Sequence, residues 1–206
     1  MEALGEELKD LERAGADMVH LDVMDGVFVP NLTFGPSMVR ALRELSDLVF
    51  DTHLMIVDPA RYVQEYIDAG SGRISFHLES QSPVHDLLEY IRRAGIKAGL
   101  AINPEPPLER LIPYLGKLDF VLVMTVHPGF YGQKLIVEAL DKVRKLRHII
   151  GTEGLEVTIE VDGGVALSNI EMVAQAGANE VVAGSAVMKA PDRAKAISDL
   201  RLVSGA

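Results

Sequence analysis

The chain has 206 residues, 48% of them apolar, with no cysteine and a formal net charge of −10 at pH 7. That length and apolar content support one compact domain over 1–206, and the lack of cysteine excludes a disulfide framework or thiolate metal site and fits a cytoplasmic location. An acidic chain with no basic cluster is a poor partner for nucleic acid or an anionic membrane, no stretch approaches the ~20 apolar residues of a membrane span, and the acidic helical start leaves no signal peptide.

Helical and strand patterns alternate along the chain. Leu4, Leu8 and Leu11 make a helical stripe before a strand over 17–23. Met38, Leu42 and Leu45 precede a strand over 48–54, and Tyr62, Tyr66 and Ala69 one over 73–78. Val84, Leu87, Leu88 and Ile91 precede a strand over 96–102, and a helix over 108–115 precedes 120–124. Leu135, Leu140, Val143 and Leu146 lead to a strand over 157–161, a helix over 170–176 to one over 180–183, and a last helix covers 191–202. Ala-Gly recurs at Gly15, Gly70, Gly95 and Gly177 between helix and strand, where a left-handed stop is expected. Those glycines fall near two, one and three multiples of roughly 27 residues, a fitting length for one unit of a (β/α)8 barrel. The fold expected is therefore α/β, a TIM barrel of parallel strands with outer helices. The structural rival, a doubly wound open sheet in its dinucleotide-binding form, lacks its G-x-G-x-x-G. Eight helices but only seven strands are counted, and the strand expected before the first helix is missing.

Four polar side chains end three of the apolar runs: His20 and Asp22, His53, and Asp162. A His or Asp in an aliphatic run costs free energy unless paired or bound to a metal. Strand alternation puts His20, Asp22 and Met24 on one face, and His53 and Met55 on another. Converging at the carboxyl rim of a barrel, two imidazoles and two carboxylates suit one divalent ion such as Zn, Fe, Mn or Co. Singly, Asp22 or Asp162 could be a cap or turn former; four at corresponding strand ends favour a site. Two carboxylates at one metal suggest proton abstraction from carbon, one Asp removing a proton and the other returning one on the opposite face. Met24, Met55 and Met124 would cap the site and keep it dry. His85 and His148 read as surface residues, His77 as a strand-end residue without an obvious partner, and His127 as a loop residue near the phosphate site. Glycines in 127–133, in 162–164 (Gly163, Gly164) and in 183–186 (Gly184, before Ser185) follow late strands and suit backbone binding of a phosphate. The expected substrate is a small phosphorylated carbonyl compound.

The chain resembles the ribulose-phosphate 3-epimerase family over essentially its whole length. The resemblance rests on His20-Leu-Asp22-Val-Met24-Asp25-Gly26, Val29-Pro30-Asn31-Leu32, Gly35-Pro36, His53-Leu54-Met55 and Asn103-Pro104. It continues through Met124 to Gln133, Glu160-Val-Asp162-Gly163-Gly164 and Ala183-Gly184-Ser185-Ala186. It implies a metal held by His20, Asp22, His53 and Asp162, with Asp22 as proton acceptor and Asp162 as donor. It implies substrate contacts from His53, from Gly129, Phe130, Tyr131 and Gly132, and from Gly163, Gly164, Gly184 and Ser185. The implied reaction interconverts D-ribulose 5-phosphate and D-xylulose 5-phosphate in the pentose phosphate pathway, in a homo-oligomer. Two departures stand out: Tyr131 replaces a small residue in the phosphate loop, and the family's first strand, with its substrate-contacting Ser, is missing, which would leave an open barrel edge. The alternatives are a D-allulose-6-phosphate 3-epimerase, a catalytically silent metal- and phosphate-binding relative and, third, a metal-dependent hydrolase.

Overall fold

The computed structural model describes residues 3–204. Seven parallel strands, β1 (Met18–Met24), β2 (Val49–Met55), β3 (Arg73–His77), β4 (Lys97–Ile102), β5 (Phe120–Met124), β6 (Thr158–Asp162) and β7 (Glu180–Val182), pair in simple sequence order. Helices α1 (Leu4–Arg13), α2 (Pro36–Arg43), α3 (Val63–Asp68), α4 (Val84–Arg93), α5 (Leu140–Glu153), α6 (Ile170–Ala176), α7 (Gly184–Met188) and α8 (Arg193–Ser204) connect and follow them. This is the expected barrel with seven strands; among the described residues no strand joins β7 to β1. That side is bridged outside the sheet by Arg193 of α8, which reaches Asp10 at 2.8 Å and Glu7 at 2.6 Å on α1.

Alternation sorts each strand into two faces. Phe50, Leu54, Ile74, Phe76, Leu100, Val121, Val123, Ile159 and Val161 are buried in the main apolar layer shared with the helices. The other face carries Asp51, His53, Arg73, Ser75, His77 and Glu160, all buried. A barrel interior holding this many polar groups must satisfy them internally, and that requirement builds the site.

Gly15, Gly70, Gly95 and Gly177 all take positive φ, as the Ala-Gly pattern predicts. The segment 108–115 differs from expectation: it forms two 3-10 turns, Leu108–Arg110 and Ile112–Lys117. Pro113 supplies no N–H for an i→i−4 bond, so the tighter turns replace an α-helix. The short helix α7 is also additional to the expected elements.

Candidate metal and acid–base site

Register pairs His20 with Asp51, Asp22 with His53, and Met24 with Met55 across β1 and β2. Asp162 ends β6 opposite Met124 of β5. One ligand atom from each of His20, Asp22, His53 and Asp162 lies within 4.8 Å of the others. Asp22 Oδ1 is central, 3.3 Å from His20 Nε2 and 3.1 Å from His53 Nδ1.

The donor set fits a divalent ion. His20 Nδ1 lies 2.6 Å from Asp51 Oδ2, which orients the ring, while its buried Nε2 faces the cluster without a hydrogen bond. A histidine held by a carboxylate on one nitrogen and vacant on the other is the usual arrangement of a metal ligand. A second acidic group, His20 with Asp51 and Glu160, lies deeper. It already has its cation: Arg73 Nε donates to Asp51 Oδ1 at 2.8 Å, Nη1 to Glu180 at 2.6 Å and Nη2 to Glu160 at 2.5 Å. The guanidinium also stacks on Phe120, 3.9 Å from its centroid. A Cβ at Gly99 would strike that Phe120 ring, so glycine on β4 makes room for the stack.

The two outer carboxylates are driven apart. Burial opposes ionisation of Asp22, but the His20 and His53 imidazoles that face its Oδ1 at 3.3 and 3.1 Å outweigh it and hold Asp22 far below the usual carboxylate range. Asp162 is pushed up to about 7 by burial and by the charges of Asp22 and Asp51. Opposed acidities in neighbouring carboxyls mark acid and base roles. Burial, with the charges of His77 and His20, lowers His53 to about 4, so this imidazole is neutral, as a ligand must be. His20 is raised well above its ordinary value: burial opposes this, but Asp51 and Asp22 outweigh it.

Met24 and Met55 pack with Val29, while Met124 packs with Ala101, Leu122 and Val126. All three methionines are buried, in two neighbouring apolar groups. Gly163 and Gly164 follow β6, Gly184 and Ser185 open α7 directly after β7, and Gly129 to Gly132 lie beyond β5; these three strands are neighbours. Phe130 and Tyr131 are largely exposed, but partial desolvation of the Tyr131 hydroxyl, with the charges of Asp22 and Asp162, raises its pKa. Asn31 Nδ2 donates to Gly129 O at 2.9 Å, joining the loop after β1 to the loop after β5. His127 pairs with Glu105 at 2.9 Å, and His85 and His148 are exposed on helices.

Gly164 has φ +69°, and a Cβ there would collide with Leu135 N and Gln133 O. Gly164→Ala should therefore destabilise by at least about 1–3 kcal/mol, the cost of the backbone conformation alone. Gly151→Ala, in open space on α5, should be neutral or stabilising. Urea unfolding midpoints test the contrast.

Asp51, Arg73 and Glu79 escaped the sequence reading as members of the site, and Glu160 and His77 entered it only as a motif residue and a strand-end histidine. Period-two alternation carried a signal for two of them, since Asp51 and Glu160 each stand two residues before a proposed ligand. His77, expected to lack a partner, has one: its Nε2 lies 2.9 Å from His53 Nε2.

Fold and site together define an α/β-barrel protein with a His2Asp2 cluster that could hold a cation at the carboxyl rim and two carboxyls of opposed acidity. The family model described as "Ribulose-phosphate 3 epimerase family" matches residues 1–188. The chain belongs to the ribulose-phosphate 3-epimerase family. It is 46% identical over 200 residues to ribulose-phosphate 3-epimerase of Bacillus subtilis, covering 97% of this chain and 92% of the relative. It is 50% identical over 200 residues to that of Synechocystis sp., covering 96% and 87%. Among solved structures, a 3-hexulose-6-phosphate synthase superposes with TM-score 0.73 at 22% identity, covering 98% of this chain and 93% of that one, a likeness of fold.

Proposed function

We propose that the chain interconverts D-ribulose 5-phosphate and D-xylulose 5-phosphate by moving a proton at C3 between two aspartates. The observation that carries this reading is the convergence of two carboxyls, Asp22 from β1 and Asp162 from β6, with His20 and His53 on one cluster, where their surroundings push the two acidities in opposite directions. Asp22 accepts the C3 proton of D-ribulose 5-phosphate; Asp162 returns one to the opposite face of the planar enediolate, and the roles exchange in reverse. His20, Asp22, His53 and Asp162 would hold Zn, Fe, Mn or Co, and such an ion supplies the positive charge that polarises the carbonyl and stabilises the enediolate oxygen. Met24, Met55 and Met124 exclude water. The glycine loops after β5, β6 and β7 bind the phosphate through backbone N–H groups, which is how an acidic chain can hold an anion. No described helix is long and apolar enough to cross a membrane, and a cytosolic site of action fits the small soluble substrate. Conversion of D-ribulose 5-phosphate by the metal-loaded protein tests the reading; an inactive, fully loaded protein would sink it.

Ligation requires deprotonated donors. Asp162 holds a proton below about pH 7, and His20 holds one to higher pH. Zinc affinity should therefore climb as pH rises, with the Asp162 contribution levelling off above about pH 7. Calorimetry in buffers of different ionisation enthalpy should show proton release at pH 6 that drops by about one proton in Asp162→Asn. Equal release by both proteins at pH 6 would refute the assignment.

A further inference from the structure

His53 and His77 are both fully buried, so water cannot satisfy their ring nitrogens. His53 Nδ1 faces Asp22 and the cation cluster, and its Nε2 lies 2.9 Å from His77 Nε2. Their rings stack with centroids 5.0 Å apart. On the far side, His77 Nδ1 lies 3.4 Å from Glu79 Oε2. Those two atoms are buried, and neither has a well-formed hydrogen bond to any other group among the described residues. Glu79 is itself anchored, because its Oε1 accepts the Asn103 N–H at 3.0 Å.

Two facing imidazole nitrogens can share only one proton in a neutral pair, so the proton positions along this line are linked. If His53 Nδ1 presents a lone pair to a cation, its proton sits on Nε2 and is donated to His77 Nε2. His77 then carries its own proton on Nδ1, pointing at Glu79. The chain of acceptors ends on a carboxylate, as it does at His20, whose Nδ1 meets Asp51 directly at 2.6 Å. We infer that His77 and Glu79 are positioning residues that fix the tautomer and ring orientation of His53, a carboxylate arm acting through a second imidazole. The inference rests on the cation site proposed above.

The test uses zinc as the probe, with affinity read by competition against a chromophoric chelator. His77→Leu keeps volume but removes the acceptor, and should weaken zinc binding about 10–100-fold. His77→Gln restores an oxygen acceptor and should recover much of that loss, while the two metal-free variants melt alike. Long-range proton–nitrogen NMR of the zinc-loaded wild type should show His53 protonated at Nε2 and His77 at Nδ1. Wild-type affinity in His77→Leu, or His77 protonated at Nε2 in the loaded protein, would overturn the inference and leave the cation site standing. Failure of the wild type to bind zinc would overturn both.

Discussion

Asp162→Asn should lower kcat/KM for D-ribulose 5-phosphate by about 10³-fold, the usual worth of a positioned acid or base. In D2O the variant should still exchange the C3 proton of D-ribulose 5-phosphate, because Asp22 remains to remove and return it. Asp22→Asn should do the reverse and exchange only D-xylulose 5-phosphate. The asparagine oxygen keeps a metal-ligating atom in place, and metal content measured on each variant separates lost loading from lost proton transfer. Exchange of both epimers by one single variant would show that a single base serves both faces, and the two-aspartate scheme would fall.

Arg73→Met should destabilise the protein by about 3–5 kcal/mol, since removing one partner leaves buried carboxylates uncompensated. In urea this is a large shift of midpoint, and on heating a drop on the order of 10 °C. The reason lies in where Arg73 sits: from β3 it reaches Asp51 on β2, Glu160 on β6 and Glu180 on β7. Burial and the Asp51 charge already raise Glu160 well above the ordinary carboxyl range, and the guanidinium opposes them. Without it, Asp51 would also hold His20 less firmly, so zinc affinity should fall with stability. A loss under about 1 kcal/mol would show that the carboxylates find other partners.

The His2Asp2 cluster was legible because its members break apolar runs at strand ends, where a polar residue needs a reason. His20, Asp22, His53 and Asp162 each do so in a strand whose alternation also predicts the face. Arg73 and Glu180 were opaque for the opposite reason: each opens a strand, where charge is unremarkable, and only the closed curvature of the sheet brings β3 to β7. His77 was visible as a strand-end histidine, but its partner lies on a neighbouring strand in a register that no local pattern encodes. The 3-10 turns at 108–117 show local chemistry overriding periodicity, since Leu108, Leu111 and Leu115 are buried as a helix would bury them. The proline among them forbids the α-helical ladder all the same.

The amide of Asn31 spans the mouth of the barrel to the carbonyl of Gly129. It ties together two loops that arise from distant strands. Movement of either loop must therefore carry the other with it or part that bond. A single neutral hydrogen bond contributes only about 0.5–1.5 kcal/mol net, so the parted form is a minor but readily reached population. A bond of that size couples the two loops without locking them together.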